Sequence, residues 1–263
     1  MSEMPVLFER DGNVGIIRLN RPQAMNALTK EMMISLMHIA IECDEDPDIR
    51  AVVLTGAGDA FCAGADLKAF LENPDALAPL VKELTVYIHA AISRLVRMDA
   101  PVVLAVNGMA AGGGFSLTLI GDVTYAAERA RFTMAYTASG LSPDASSTFF
   151  LPRLVGLRRA RHLALTNRRL DAEEARDWGL VDEVVPDAAL EGHALATAQT
   201  LAAGPTASFG SAKRLMLESL EHGLEAQMEL EAREIAANAA GEDVREGIRA
   251  FVEKRPAAFR GHR

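Results

Sequence analysis

The sequence predicts an α/β fold whose C-terminal part is mostly helical. Up to Ala127, short apolar runs alternate with segments of helical periodicity, which is typical of parallel α/β proteins. From Leu141 onward, apolar residues recur mainly at helical spacing. The chain has 263 residues, 49% of them hydrophobic and 24% charged, which is an ordinary globular composition with enough apolar side chains for a large core. We expect one α/β core over residues 1–200 and a helical region over residues 201–263.

In the first half of the chain, four short apolar runs are predicted to be buried strands. They are residues 14–19, 50–55, 101–106 and 122–127. A helix is predicted from near Thr29 to just before Asp44, because threonine is a good N-cap and Met32 and Met33 follow it at helical spacing. A second, longer helix is predicted over residues 80–98.

The second half of the chain is predicted to contain one strand and six helical segments. The strand is 181–185, and the helices are 145–151, 158–165, 172–178, 190–202, 206–238 with a break near Gly223, and 244–253. An apolar stripe in the last part is interpreted as core or as a subunit contact. It consists of Met216, Met228, Leu230 and Ile235.

Charge and cysteine usage exclude several classes of function. Lys and Arg number 27 against 36 Asp and Glu, so the net charge of −9 disfavours binding of nucleic acid. Cys43 and Cys62 form no CxxC pair and have no histidine at zinc spacing, which favours a reducing cytoplasm and no metal site. The N-terminus lacks the features of a signal peptide. Residues 100–121 carry no charge, but Pro101 and the glycines at 112–114 argue against a membrane span.

Two glycine-containing loops carry the strongest functional signal. Residues 61–68 follow one predicted buried strand, and residues 107–115 follow the next. The three glycines at 112–114 let the backbone approach a ligand closely, and the helix that they open presents unpaired N–H groups. A second loop that brings another free N–H to the same point would make an oxyanion hole. Tight packing of loop and helix against the sheet explains the same spacing, and the spacing alone leaves both interpretations open.

Four ordered runs resemble the enoyl-CoA hydratase/isomerase (crotonase) superfamily, and the resemblance covers nearly the whole chain. The runs are Asn20-Arg21-Pro22 with Asn26-Ala27-Leu28, Phe61-Cys62-Ala63-Gly64-Ala65-Asp66-Leu67, Asn107-Gly108 with Gly112-Gly113-Gly114, and Leu151-Pro152-Arg153-Leu154-Val155-Gly156. The resemblance implies a crotonase-like spiral of ββα turns with a C-terminal helical trimerisation region, and a homotrimer or a dimer of trimers. It also implies an acyl-CoA thioester substrate, with coenzyme A as part of that substrate and no separate cofactor.

Carried over by position, the resemblance also implies the residues of the site. The thioester oxygen would lie between the backbone N–H groups of Ala65 and Gly113. Phe251 and Lys254 would close over the nucleotide, from this subunit or from an adjacent one. For Lys254, as for Lys68, the alternative interpretation is an ordinary solvated side chain. The remaining residues expected along the substrate path are Gln23, Ala24, Met25, Ala63, Gly64, Asp66, Leu67, Lys68 and Gly112.

At two positions the chain departs from the pattern of the family's hydratases. Those enzymes carry two glutamates that handle water and protons, whereas this chain has Ser116 and Tyr136 at the corresponding positions. General acid–base catalysis commonly contributes about 10²–10⁴-fold, so ordinary hydration of a 2-enoyl-CoA should be weak or absent. Ser116 and Tyr136 are expected to shape the acyl pocket or to donate a hydrogen bond, without acting as bases.

One acid is present near this point, Asp144. Because Asp144 follows a proline and precedes an apolar helix, a role as N-cap explains this residue as well as a catalytic role does. The pattern Gly-Leu-x-Pro-Asp-x-x-x-Thr over residues 140–148 resembles that of isomerases of the family, including the epoxyphenylacetyl-CoA type, in which an Asp shuttles the proton. The resemblance therefore implies an enoyl-CoA isomerase that shifts a proton through an enolate, with Asp144 as the base.

Three alternatives stay open at this stage. The first is a hydratase, a lyase that uses an acid elsewhere in the chain. The second is another enolate reaction of a CoA thioester, such as hydrolysis or decarboxylation. The third is an acyl-CoA binding protein without catalytic activity, and Asp144 is the residue that argues against it.

Overall fold

The computed structural model describes residues 4–72, 74–219 and 221–261 and contains two sheets. The strands in chain order are β1 (Val6–Asp11), β2 (Val14–Leu19), β3 (Ala51–Gly56), β4 (Ala60–Cys62), β5 (Val102–Val106), β6 (Met109–Ala111), β7 (Val123–Ala127), β8 (Arg131–Thr133), β9 (Leu170–Asp171) and β10 (Glu183–Val185). The larger sheet has the order β1-β2-β3-β5-β7-β10, and the smaller has the order β4-β6-β8-β9.

The chain alternates between the two sheets as it proceeds. Strands β3, β5 and β7 lie side by side and parallel in the larger sheet, and each is followed by a short strand of the smaller sheet, namely β4, β6 and β8. The short strands are parallel as well. Each turn of the chain thus adds one strand to each sheet, which confirms the expected spiral.

The helices surround this double sheet. They are α1 (Lys30–Glu45), α2 (Leu67–Glu72), α3 (Leu77–Arg97), α4 (Gly113–Leu117), α5 (Ser147–Val155), α6 (Leu157–Thr166), α7 (Ala172–Asp177), α8 (Leu190–Ala202), α9 (Thr206–Glu218), α10 (Leu224–Ala239) and α11 (Glu242–Glu253). Val52 and Leu54 of β3 face the core that contains α1 and α3, whereas Ala51 and Val53 face α8. Because both faces are covered, β3 is apolar throughout, as a buried parallel strand should be.

Most of the predicted elements are confirmed, with shifts at their ends. The Thr29 hydroxyl accepts a hydrogen bond from the Met32 amide at 3.3 Å and caps α1, which runs to Glu45 and so passes the predicted end at Asp44. The predicted helix 145–151 is confirmed with both ends shifted, because α5 begins at Ser147 and continues through Pro152 to Val155. The predicted break near Gly223 separates α9 from α10.

Several strands were not predicted. The hairpin strand β1 and the short strands β8 and β9 were missed, and β4 and β6 lie in or beside segments that were interpreted as loops. A strand of three residues shows at most one and a half periods of alternation, so periodicity cannot reveal it. These short strands form the smaller sheet, and two of them lead directly into the glycine-containing loops.

The predicted apolar stripe is not part of the core of this chain. Met216 is 74% exposed, Ile235 72% and Met228 49%. Of the two interpretations of the stripe, core packing within one chain is therefore wrong for these side chains.

Within the described ranges, no helix is long and apolar enough to cross a membrane. The uncharged residues 100–121 instead form β5, β6 and α4. The same described residues contain no group of three or more His, Cys, Asp or Glu side chains placed to hold a metal ion.

Candidate active site

The two predicted amide donors lie on neighbouring loops at the ends of β4 and β6. The Leu28 amide donates to the Gly64 carbonyl at 2.7 Å, and the Asp66 amide donates to the Leu28 carbonyl at 3.1 Å. This parallel bridge turns the intervening amide of Ala65 away from Leu28. Gly113 is the first residue of α4, so its amide has no partner within the helix. Across residues 4–72, 74–219 and 221–261, no protein acceptor bonds to either amide.

Gly64 brings the two loops into close contact. Its φ is +90°, and a Cβ placed on it would lie 3.2 Å from the Gly113 nitrogen and 2.7 Å from the Ala111 carbonyl oxygen. Tight packing, one of the two interpretations of the glycine loops, is therefore present. It is compatible with the other interpretation, since the same packing brings the Gly113 amide beside the loop that carries Ala65.

A cavity of about 110 Å³ lies at these amides. Of the residues that the sequence predicted for the site, those that line this cavity are Ala63, Gly64, Ala65, Leu67, Gly112, Gly113, Tyr136 and Asp144. Most of the others are apolar, including Leu28, Met33, Ile88 and Leu141. Among the described residues that line the cavity, Asp144 is the one that carries a carboxylate.

Asp144 pairs with a histidine that the sequence did not indicate. Its Oδ1 lies 2.7 Å from Nε2 of His89 on α3, and the two side chains are 38% and 51% exposed. Helix α5 is preceded by Ser146 and has no side-chain cap, so the interpretation of Asp144 as an N-cap is wrong. His89 follows the buried Ile88 on an amphipathic helix. A lone histidine at such a position gives no sequence signal, and only the fold brings it to Asp144.

Ser116 and Tyr136 meet at the wall of the cavity, which Tyr136 lines and Ser116 does not. The Ser116 hydroxyl is fully buried and lies 2.8 Å from the Tyr136 hydroxyl. Both hydroxyls lie within hydrogen-bond distance of the backbone carbonyl of Asp144, at 3.0 Å from Ser116 and 3.2 Å from Tyr136. Since one hydroxyl donates its single proton to the other, the second hydroxyl is the one that donates to this carbonyl. Burial raises the pKa of Tyr136 above its usual value, so this phenol keeps its proton and can donate it in a hydrogen bond.

The segment that contains Gln23, Ala24 and Met25 lies beside the site without lining the cavity. Pro22–Ala24 forms a 3₁₀ helix, and the Met25 carbonyl accepts from the Ala63 amide at 2.9 Å. The Met25 side chain is 56% exposed. The segment therefore borders the loop that carries Ala65 and presents an open apolar side chain next to it.

Asp66 and Lys68 also lie outside the cavity lining. The Asp66 carboxylate pairs with Arg21 at 3.1 Å and accepts from the Lys68 amide at 3.3 Å, so it is occupied within the protein. Lys68 is exposed on α2.

Phe251 and Lys254 lie at the end of α11 and do not line the cavity either. Phe251 is 86% exposed, and Lys254 ends the helix with a φ of +54°. A single chain does not place them over this cavity. Contact from an adjacent subunit and solvated side chains both stay open as interpretations of these two residues.

Both cysteines are buried thiols whose pKa is raised by burial to about 12. Cys62 lies under the loops, and the Gly64 amide donates to its Sγ at 3.5 Å. Because the folded-state pKa exceeds the unfolded value of about 9, unfolded thiols lose protons first as the pH rises. The thiols therefore contribute fully to stability below pH 9, and this contribution declines between about pH 9 and 12.

We expect the free energy of unfolding to fall between pH 8 and pH 10, by about 1.4 kcal/mol per thiol. Urea unfolding at both pH values measures this difference. The C43A and C62A variants should each remove about half of the loss that the thiols cause. An equal loss in the doubly substituted protein would contradict this assignment.

Comparisons with known proteins agree on the family and differ in the reaction. A model of the family "Enoyl-CoA hydratase/isomerase" matches residues 9–262. The chain is 41% identical to "Probable enoyl-CoA hydratase" of Rhodobacter capsulatus over 99% of this chain and 100% of the relative. It is 38% identical to "1,2-epoxyphenylacetyl-CoA isomerase" of Escherichia coli, over 97% and 98%. A further relative is "4-chlorobenzoyl coenzyme A dehalogenase-2" of Arthrobacter, 34% identical over 96% and 92%.

The solved structures give the same answer for the fold. The crystal structure of an enoyl-CoA hydratase/isomerase from Cupriavidus metallidurans superposes with a TM-score of 0.91 at 36% identity, over 100% of this chain and 99% of that one. The family model thus matches almost the whole chain, and the three relatives are 34–41% identical over nearly their full length. The chain belongs to the enoyl-CoA hydratase/isomerase family and has the crotonase fold.

Proposed function

We propose that this enzyme is an enoyl-CoA isomerase that moves a double bond in an acyl-CoA thioester by a 1,3-proton shift, with Asp144 as the base. The observation that carries the proposal is the cavity in which Asp144 supplies the carboxylate beside two unpartnered amides. The 38% identity to a protein named as an isomerase supports it.

In the proposed reaction, the thioester oxygen accepts hydrogen bonds from the amides of Ala65 and Gly113. Asp144 removes a proton from the α-carbon of a 3-enoyl-CoA, and the negative charge passes to the thioester oxygen. Each preorganised donor is worth about 3–4 kcal/mol toward this charge. Asp144 then returns the proton to the γ-carbon, which leaves a 2-enoyl-CoA and the free carboxylate. Coenzyme A is part of the substrate, and we expect no further cofactor.

The side chains around the cavity favour isomerisation over hydration. Hydration requires one group that activates water and one that protonates carbon, and among the described lining residues only Asp144 is a carboxylate. Ser116 and Tyr136 are bonded to each other and to the protein backbone. A single carboxylate is sufficient for a proton shift, because it takes and returns the same proton.

A panel of thioesters tests the proposal. We expect 3-hexenoyl-CoA to be converted to 2-hexenoyl-CoA, with little addition of water to crotonyl-CoA and no release of free CoA. Mass spectrometry and absorbance of the conjugated product measure these outcomes. Rapid hydration of crotonyl-CoA would favour a hydratase, and free CoA or carbon dioxide would indicate another enolate reaction. Tight binding of every thioester without turnover would favour a binding protein.

A second candidate function is the hydrolytic displacement of halide from an aromatic CoA thioester. The specific observation is the contact between Asp144 and His89, because a carboxylate nucleophile and a histidine base within hydrogen-bond reach are an arrangement that covalent catalysis uses. A relative named as a 4-chlorobenzoyl coenzyme A dehalogenase supports it. Release of chloride from 4-chlorobenzoyl-CoA, measured by ion chromatography, would favour this function over isomerisation.

The assembly and location form a separate part of the proposal. We propose a homotrimer or a dimer of trimers that acts in the cytoplasm, with the exposed apolar stripe of α9 and α10 at a subunit contact. Met216 and Ile235, both more than two-thirds exposed, support such a contact. In that assembly Phe251 and Lys254 of one subunit would cover the nucleotide bound to the next.

A further inference from the structure

We infer that Ser116 and Tyr136 are positioning residues, whose hydroxyls fix the backbone of Asp144 and thereby aim its carboxylate into the cavity. This inference rests on the proposed function for its kinetic test. Its structural test is independent of which reaction the enzyme catalyses.

The first support is the number of donors around one carbonyl oxygen. The Asp144 carbonyl lies within hydrogen-bond distance of three hydroxyls, those of Ser116 at 3.0 Å, Tyr136 at 3.2 Å and Ser147 at 2.8 Å. The Ser147 amide donates to it as well, at 3.2 Å. A carbonyl oxygen has two lone pairs, so it is held by more donors than it needs. Ser147 is local to the turn, whereas Ser116 and Tyr136 come from other parts of the fold.

The second support is the backbone that follows Asp144. Ala145 and Ser146 have φ values of +51° and +66°, a left-handed conformation that residues with a Cβ rarely adopt. Such a conformation persists where surrounding contacts determine it. The hydroxyls on the Asp144 carbonyl are contacts of this kind, because they hold the point at which the left-handed turn begins.

The third support is the position of the hydroxyl pair between two segments of the site. Ser116 is fully buried, and burial raises the pKa of Tyr136, so both hydroxyls keep their protons. Ser116 also lies 3.2 Å from the Gly112 carbonyl, one residue before the oxyanion amide of Gly113. The pair thus joins the helix that bears one amide donor to the loop that bears the base. Ser116 does not line the cavity, which favours an action through Asp144 over contact with substrate for this residue, whereas Tyr136 lines the cavity and its role is decided by the kinetic test.

The two donors are partly redundant, and this determines the expected kinetics. Loss of either hydroxyl in S116A or Y136F leaves the other on the Asp144 carbonyl. We expect each single variant to lower kcat for 3-hexenoyl-CoA by about two- to tenfold. The double variant should lose more than the product of the single losses, because the carbonyl then has only its local donors. KM should stay within about twofold of the wild-type value.

The structural measurement uses the His89 ring as a reporter of where the Asp144 carboxylate lies. In ¹⁵N NMR of the ligand-free protein, the D144N variant defines the ring resonances of His89 without its carboxylate partner. We expect the resonances in S116A/Y136F to move toward those of D144N. Tyr125→Phe is the matched control, because it removes a hydroxyl that bonds to Thr197 at 3.0 Å, on the α8 face of the sheet.

The outcomes separate the inference from the proposed function. If 3-hexenoyl-CoA is not isomerised by the wild-type protein, the proposed function fails, and the His89 resonances still decide the inference. Unchanged resonances in S116A/Y136F would overturn it. A rise in KM with unchanged kcat would also overturn it, because the hydroxyls would then act on the acyl group directly.

Discussion

Replacement of Asp144 by Asn should lower kcat for the isomerisation of 3-hexenoyl-CoA by about 10²–10⁴-fold, with little change in KM. The amide has nearly the same shape but cannot accept the proton, and general base catalysis contributes about that factor. The Asp144 carbonyl and its hydroxyl donors are retained, so the loop should keep its conformation. Absorbance of the conjugated 2-enoyl product gives the rate.

Two further variants define what this loss means. Asp44→Asn is the control, because Asp44 pairs with Arg94 at 3.2 Å outside the lining of the catalytic cavity, and its loss should leave kcat unchanged. His89→Gln should lower kcat less than D144N does, since it removes the partner of the carboxylate and keeps the base. Wild-type kcat in D144N would refute the assignment of Asp144 as the base.

Replacement of Gly64 by Ala should lower kcat by about 10²–10³-fold, the effect of losing one oxyanion donor. The added Cβ would lie 2.7 Å from the Ala111 carbonyl oxygen and 3.2 Å from the Gly113 nitrogen, so the two loops must separate. Separation changes the distance between the two amides that hold the thioester oxygen. Steady-state kinetics with 3-hexenoyl-CoA measures the loss.

Gly12→Ala separates this effect from backbone strain. Gly12 also has a positive φ, +59°, and a Cβ there meets nothing within 4 Å. The variant should be less stable, by about 1–3 kcal/mol, and should keep the wild-type kcat. If G64A and G12A lose stability equally and both retain kcat, the close approach of the loops has no role in catalysis.

The features of the site that could be predicted are those that depend on residues adjacent in the sequence. Gly112 to Gly114 predicted a helix start with a free amide, because glycine runs and helix termini are properties of adjacent residues. The resemblance of ordered runs implied Ala65 and Asp144, both of which line the cavity. The roles that the resemblance implies for Ala65 and Asp144 stay predictions until the variants are measured.

The features that could not be predicted depend on contacts between distant segments. His89 and Asp144 are 55 residues apart, and Ser116 and Tyr136 are 20 apart on different elements. No spacing rule relates such positions, since their meeting depends on how α3 and the strands pack. The N-cap interpretation of Asp144 was wrong because α5 begins at Ser147, after a left-handed turn at Ala145 and Ser146 that the sequence did not indicate.

The most direct test of the account is exchange of the α-protons of phenylacetyl-CoA in D₂O. This thioester has no double bond to move, so the proton on Asp144 has no γ-carbon to go to. Deuterium uptake then requires the two amides, the base, and exchange of that proton with D₂O by the Asp144 side chain, which is 38% exposed. Mass spectrometry should show deuterium uptake with the wild-type enzyme and almost none with D144N or G64A. Uptake by D144N at the wild-type rate would contradict the claim that Asp144 and the paired amides of Ala65 and Gly113 form the catalytic centre.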